Sequence, residues 1–188
     1  MAIRPRKHQT SRNETVLVSG TDNIDHIQSP VEVLDRVRER LFPGEDILNA
    51  IARIFNIRVE YRPLELDASG SLRLCADTDQ WVVTINSLHH PKRQRFTFAH
   101  ELAHYFLHRN SAHREFNDTV FFRAESVKST MEYEANNFAG ALLMPKEEFV
   151  DYIRNYSNSI ENVSSHFNVS AMAVKVRADV IRGSQYEF

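Results

Sequence analysis

The spacing of hydrophobic residues predicts two helices in the first third of the chain. The first begins after Ser29, where a capping residue is followed by proline, and it ends where residues 43–44 read Pro-Gly. The second has its apolar stripe within residues 47–55. Upstream of both, residues 1–28 are polar apart from one short apolar run, and we expect them to form a mobile tail.

A period of two replaces the helical period between residues 57 and 86. Apolar and polar residues alternate in residues 57–61, 71–74 and 81–86, and a short polar turn separates the last two segments. The pattern predicts a small three-stranded sheet in which the second and third strands form an antiparallel hairpin.

Two helices in the second half of the chain are predicted to be buried. Residues 98–108 and 130–144 are rich in apolar and small side chains, and Pro145 ends the second of these helices. The polar segment between them, residues 109–129, is predicted to be a long loop at one rim of a cleft. A further amphipathic helix is expected over residues 146–156.

The C-terminal segment has the pattern of two short helices joined by a tight turn. Asn168 suits the turn, and Ser170 is placed to cap the second helix. We therefore predict an α+β fold, in which a mainly helical core with the small three-stranded sheet spans residues 29–156. A helix-turn-helix-like segment, residues 157–188, is expected to pack on this core.

Composition and charge narrow the classes of function. The 188 residues are 42% hydrophobic, which is enough for one compact core, and no apolar run is long enough to span a membrane. The single cysteine, Cys75, excludes an internal disulfide and fits a cytoplasmic protein. The net charge of −2 gives no attraction to nucleic acid. Direct DNA binding by the C-terminal segment is disfavoured because its basic side chains are offset by an equal number of acidic ones. The basic residues are Lys175, Arg177 and Arg182, and the acidic residues are Glu161, Asp179 and Glu187.

The candidate chemistry lies in the helix at residues 98–108. His100 and His104 are one helical turn apart, so both imidazoles can reach one metal ion. Glu101 lies about a quarter turn round the helix, where it can accept a proton from water without being a ligand. This H-E-x-x-H pattern predicts a catalytic metal site, although a chain with nine histidines can also produce it by chance.

A third protein ligand is needed for a catalytic site of this type. Glu132 is the best candidate, and Asn136 lies four residues on, on the same helical face, where it can hydrogen-bond a ligand. Glu134 points elsewhere and is the weaker candidate. His108 lies one turn beyond His104 and is expected to hydrogen-bond near the site rather than bind the ion. Such a ligand set suits Zn²⁺, and Mn²⁺ or Fe²⁺ can occupy the same ligands.

Taken together, the segments at residues 95–108 and 132–145 resemble the ImmA/IrrE family of zinc metallopeptidases. The resemblance extends over roughly residues 45–183 and rests on Phe-Ala-His-Glu-Leu-Ala-His in the first segment and Glu-Tyr-Glu-Ala-Asn in the second. Family members commonly have glycine before the second histidine, where this chain has Ala103. Alanine is equally small and a better helix former, so we expect no loss of function from it.

The resemblance implies a cytoplasmic zinc endopeptidase that cleaves a helix-turn-helix repressor of the Xre type and so relieves repression. By analogy with such peptidases, an edge strand would bind the extended substrate, and the candidate is formed by Val82, Val83, Thr84, Ile85 and Asn86. An ordinary core strand explains the same residues equally well. The donor that stabilises the oxyanion stays open among Tyr105, His113 and Tyr133.

Two other functions fit parts of this pattern. The protein could act in a toxin-antitoxin or phage-switch pair by binding its Xre-type partner without proteolysis. It could also be a transcription factor that uses its C-terminal helices, although the segment lacks a basic stripe. Glu101 favours the enzyme, because a purely structural metal site has no use for an unligated carboxylate beside the ion.

Overall fold

The computed structural model of this chain describes residues 27–110, 115–118 and 130–183. Seven helices and four strands lie within these ranges, so the prediction of an α+β, mainly helical fold is confirmed. Most of the predicted tail, residues 1–26, lies outside the described residues. Ile27 is only 2% exposed and belongs to the hydrophobic core, so the folded part begins before the boundary predicted at residue 28.

The first two helices form where the hydrophobic spacing predicts them. Helix α1 spans Pro30–Arg38, and Ser29 begins it with a reciprocal capping box to Glu32. Helix α2 spans Ile47–Ile54, and the Asp46 side chain accepts from the backbone N–H of Leu48. Helix α1 is shorter than predicted, since it ends several residues before the Pro-Gly pair at residues 43–44.

The sheet has one strand more than the sequence analysis predicts. Strands β1 (Arg58–Arg62), β2 (Gly70–Cys75) and β3 (Gln80–Asn86) match the three alternating segments, and β2 and β3 form the predicted antiparallel hairpin. A fourth strand, β4 (Glu115–Asp118), lies within the segment predicted to be a loop. Four residues are too few for a period of two to be recognised, and its partner β2 is distant in sequence.

Strand β3 lies inside the sheet and not at its edge. The strand order is β1-β3-β2-β4, with β1 parallel to β3 and β2 antiparallel to both β3 and β4. The prediction that β3 offers an open edge to substrate is therefore wrong, because both of its sides already carry main-chain hydrogen bonds. The outer strands of the described sheet are β1 and β4. The correction applies to every residue of the predicted edge: Val82, Val83, Thr84, Ile85 and Asn86.

Helix α3 (Pro91–His108) crosses the sheet and is buried along most of its length. It contacts β2 and β3 on one side and helix α4 (Thr130–Leu143) on the other. The Phe106 and Phe138 rings stack across the contact between the two helices, with centroids 5.9 Å apart. Nearly every side chain from Thr97 to His108 is therefore shielded from water.

Three further helices complete the described part of the chain. They are α5 (Lys146–Asn155), α6 (Ile160–His166) and α7 (Ala171–Gly183), and Asn168 takes the positive φ of 51° that the turn between the last two requires. Helix α7 packs against α4, and Val163 and Val174 lie in the same hydrophobic core as α3. Among the described residues, no helix is both long and apolar enough to cross a membrane.

Candidate metal centre

The centre of α3 buries two imidazoles and a carboxylate. His100 and His104 are each 1% exposed, and Glu101 is completely buried. Such groups cost free energy in a helix interior unless they are hydrogen-bonded, paired or bound to a metal. These three buried polar side chains therefore need hydrogen-bond partners, ionic partners or a bound metal.

Three potential ligand atoms converge between α3 and α4. The Nε2 atoms of His100 and His104 are 3.0 Å apart. The two carboxylate oxygens of Glu132 each lie 3.3 Å from one of these nitrogens. A tetrahedral ion with ligands at about 2.0–2.2 Å places neighbouring ligand atoms roughly 3.3 Å from one another. The ligand atoms of the three residues proposed as metal ligands are thus separated by the distances expected around a bound divalent cation.

The His100 ring is oriented by an amide on the neighbouring helix. Its Nδ1 lies 3.1 Å from Oδ1 of Asn136 on α4. Because an amide oxygen only accepts, Nδ1 carries the proton of the neutral ring. The lone pair of His100 is then on Nε2, which faces His104 and Glu132.

The His104 ring is oriented by a second histidine. Its Nδ1 lies 3.0 Å from Nδ1 of His108, whose Nε2 lies 3.1 Å from a carboxylate oxygen of Glu134. The carboxylate accepts, so His108 donates through Nε2 and accepts through Nδ1. His104 accordingly donates through Nδ1 and keeps its own lone pair on Nε2. Two lone pairs that face each other across 3.0 Å, beside a carboxylate, repel unless a cation lies between them.

The surroundings of His104 and Glu132 favour the forms of these groups that bind metal. Desolvation lowers the pKa of His104 to about 4, so its imidazole is neutral at pH 7. The His100 and His104 imidazoles beside Glu132 hold the pKa of its carboxyl below the usual range, so that group is ionised. Neutral imidazoles and ionised carboxylates are the species that coordinate divalent cations.

Glu101 lies on the side of α3 that faces the sheet. Its Oε1 is 3.2 Å from the point that a Cβ on Gly70 would occupy, so the first residue of β2 contacts this carboxylate. The group of converging ligands contains His100, His104 and Glu132 and not Glu101. A buried carboxylate next to a metal ligand, but outside the ligand set, is the arrangement expected of a proton acceptor.

The remaining candidates differ in what the structure says about them. Tyr105 is 4% exposed and its ring packs against Phe55 and Trp81, so it is a core residue. Tyr133 follows Glu132 on α4, is 42% exposed, and stays a candidate for the oxyanion donor. His113 lies outside the described residues.

Two residues of the site escaped the sequence analysis. Glu134 is two positions from Glu132 and is predicted to point elsewhere, yet its carboxylate reaches His108. The signal that could have found it is a third histidine at the same four-residue spacing, which needs a partner of its own. Gly70 has no such signal, because a sequence does not show which helix approaches a glycine.

Comparisons with known proteins agree with this site. A family model described as the IrrE N-terminal-like domain matches residues 52–179. The chain is similar to Metallopeptidase ImmA of Bacillus subtilis (strain 168), with 32% identity over 118 residues that make up 61% of this chain and 64% of that protein. It is also similar to Radiation response metalloprotease IrrE of Deinococcus radiodurans, with 28% identity over 115 residues, or 61% of this chain and 33% of that protein.

The matched region is only a part of these relatives. The chain spans less than two thirds of the length of either one. Among solved structures, a Mycobacterium tuberculosis transcriptional regulator superposes on 77% of this chain and 44% of its own, with a TM-score of 0.48 and 19% identity.

Proposed function

The chain belongs to the family of IrrE N-terminal-like domains, whose model matches residues 52–179, and from this premise we propose that it is a metal-dependent endopeptidase. The observation that carries the proposal is the convergence of His100, His104 and Glu132 with their ligand atoms 3.0–3.3 Å apart. Three protein ligands leave one tetrahedral position for water or substrate, which is the composition of a catalytic rather than a structural site.

The ligand set suits zinc best. Two imidazole nitrogens and one carboxylate form a common zinc site in peptidases, and Mn²⁺ or Fe²⁺ can bind the same residues. When bound, the ion supplies a Lewis acid that polarises a peptide carbonyl and lowers the pKa of a water molecule toward about 7. The exposed side of the site is at Glu132, whose side chain is 45% exposed while both histidines are buried. Substrate therefore approaches from the α4 side.

The protein residues then divide the remaining work. Asn136 and His108 hold the rings of His100 and His104 so that both Nε2 atoms point at the same place. Glu101 takes the proton of the attacking water and delivers it to the leaving amine, which a carboxylate in a buried position does efficiently. Tyr133 is the proposed donor to the oxyanion.

The proposed substrate is a helix-turn-helix repressor of the Xre type. This part of the proposal rests on the family resemblance of the two motif segments, and it places the reaction in the cytoplasm, where such repressors act. Cleavage would relieve repression. Pairing of an extended substrate with the sheet would require β1 or β4, because β3 is paired on both sides.

The test is cleavage of a purified Xre-type repressor by the purified protein. We expect fragments with added Zn²⁺ and none with a chelator. Glu101→Gln should lower the rate by about 10²–10⁴-fold, the usual contribution of a general base, while zinc affinity is retained because Glu101 is not a ligand. Glu65→Gln, an exposed carboxylate in a loop, is the matched control.

A reporter gene under the repressor's control separates cleavage from binding. Loss of derepression in Glu101→Gln supports proteolysis. If Glu101→Gln relieves repression as fully as the unaltered protein does, the protein acts by binding its partner, and the endopeptidase proposal is wrong.

A further inference from the structure

A row of three side chains connects the solvent to the ligand nitrogen of His104. Glu134 on α4 is the outer member, with a side chain that is 45% exposed. His108 on α3 is the middle member and is 7% exposed. The distances along the row are 3.1 Å from Glu134 Oε2 to His108 Nε2 and 3.0 Å from His108 Nδ1 to His104 Nδ1.

We propose that Glu134 is a positioning residue that acts through His108 to keep the His104 proton on Nδ1, and so keeps His104 Nε2 open to the metal. The inference deepens the proposed metallopeptidase function and rests on it. We call the row from Glu134 through His108 to His104 a relay. Neither Glu134 nor this relay follows from the H-E-x-x-H pattern, whose residues all lie on α3.

The relay needs Glu134 because an isolated neutral imidazole can carry its proton on either ring nitrogen. A neutral histidine can carry its proton on either nitrogen, and the choice follows the hydrogen bond that the other nitrogen makes. The Glu134 carboxylate has no proton to give, so it requires His108 to donate through Nε2. His108 Nδ1 is then an acceptor, and His104 must donate to it.

Without Glu134 the same two histidines have a second arrangement. His108 can carry its proton on Nδ1 and donate to His104 Nδ1 across the same 3.0 Å contact. His104 would then carry its own proton on Nε2, the atom that lies 3.0 Å from His100 Nε2 and 3.3 Å from Glu132. A protonated nitrogen has no lone pair for a metal, so this arrangement competes directly with binding.

The tautomer of His100 does not depend on such a relay. Its Nδ1 faces Asn136 Oδ1, and an amide oxygen accepts without help from a further group. The two ligands are thus oriented in different ways, one by a single neutral acceptor and the other by a two-step relay that ends in a charge. A change at Glu134 should act on His104 alone.

The first experiment measures Zn²⁺ affinity by competition with a chromophoric chelator. We expect Glu134→Ala to weaken zinc binding by about 10- to 100-fold, the usual effect of losing an outer partner of a metal-bound histidine. Glu134→Gln should lose less, because its amide oxygen can still accept from His108. Glu147→Ala removes an exposed carboxylate from α5 and should leave affinity unchanged.

A double-mutant cycle tests whether Glu134 acts through His108. His108→Phe should weaken zinc binding about as much as Glu134→Ala, and the double variant should lose no more than either one, because both break the same relay. Additive losses would mean that Glu134 acts on the site independently of His108, and the inference would be wrong.

The tautomer itself can be read by nitrogen NMR of the metal-free protein. Long-range ¹H–¹⁵N spectra should show His104 protonated on Nδ1 in the unaltered protein and in Glu147→Ala, and protonated on Nε2 in a large share of Glu134→Ala molecules. Unchanged zinc affinity and an unchanged tautomer in Glu134→Ala would overturn the relay. An unaltered protein that binds no zinc at all would instead overturn the proposed function.

Discussion

At the scale of single residues, glycine at position 70 is as much part of the site as the polar groups. A Cβ at this position would lie 2.6 Å from Thr97 Cγ2, 2.7 Å from the Thr84 carbonyl oxygen and 3.2 Å from Glu101 Oε1. The Thr84 oxygen belongs to the backbone of β3 and cannot withdraw. Any side chain on Gly70 must therefore displace β2 where it contacts the proposed general base.

We expect Gly70→Ala to destabilise the protein by about 1–3 kcal/mol, the range for an overpacked interior, and to reduce peptidase activity more than zinc affinity. None of the three ligands is among the atoms closest to the added Cβ, which is why zinc binding should be less affected. Gly183→Ala is the control, since nothing lies within 4 Å of its added Cβ. Urea unfolding and zinc titration measure the two effects, and a Gly70→Ala protein as stable and active as the unaltered one would contradict this account.

Helical spacing relates residues within one helix, where it controls geometry. His100 and His104 share one face of α3, Glu132 and Asn136 share one face of α4, and His108 Nδ1 contacts His104 Nδ1. Glu134 was missed because the spacing rule considers the direction of a side chain and not its length. A glutamate can reach a neighbouring helix from a position that does not face it.

At the scale of elements, the C-terminal helices are attached to the helix that carries Glu132. Arg177 on α7 is 6% exposed, and its Nε donates to the carbonyl oxygen of Met144 just beyond the end of α4, over 3.0 Å. The carbonyl groups at a helix end have no intrahelical donor, so this contact satisfies one that would otherwise be buried without a partner. Helix α7 therefore holds the end of α4 in place.

Loss of this contact should lower the stability of the protein. We expect Arg177→Met, which keeps much of the side-chain volume, to lower the free energy of unfolding by about 1–3 kcal/mol, because the Met144 carbonyl would stay buried without its donor. Lys175→Met, an exposed cation two positions earlier on the same helix, is the matched control and should be nearly neutral. Equal unfolding midpoints for both variants in urea would show that the contact does not stabilise the fold.

Strand topology was the least predictable property at this scale. Each of the three longer strands was recognised from its alternation, yet alternation does not say which strands are neighbours. β1 pairs with β3 rather than with β2, which follows it in sequence, and this places β3 in the interior. The edge assignment failed for that reason.

At the scale of the whole molecule, the buried site makes stability depend on pH. The pKa of His104 is about 4 in the folded protein, against about 6.5 for an unfolded histidine. Between these values the unfolded chain binds a proton that the folded protein does not, so stability falls as the pH falls. Above pH 6.5 both states are neutral at this residue and the effect is absent.

We expect the metal-free protein to lose a few kcal/mol of unfolding free energy between pH 6.5 and pH 4, from about 1.4 kcal/mol for each unit of pKa difference. Glu132 acts in the same direction only below its ordinary value of 4.5, because its folded pKa is lowered. Urea unfolding at several pH values measures the slope. His104→Phe should reduce the slope of stability against pH by the equivalent of about one bound proton over the upper part of this range. An unchanged slope would contradict the assignment to His104.

The sequence by itself determined the elements and the chemistry that depends on local spacing. Helical period fixed the helices and the pairing of His100 with His104, and alternation fixed the three longer strands, because both depend on the geometry of a few consecutive residues. The family resemblance followed from the same two segments, and the match over residues 52–179 agrees with it.

Only the tertiary structure decided what lies next to what across the fold. It brought Glu132 to within 3.3 Å of both histidines, Glu134 to His108, and Gly70 to Glu101, and it placed β3 inside the sheet. These contacts join residues that are far apart in the chain. Their distances depend on how α3, α4 and the sheet pack, and no local pattern of hydrophobic and polar residues records that packing.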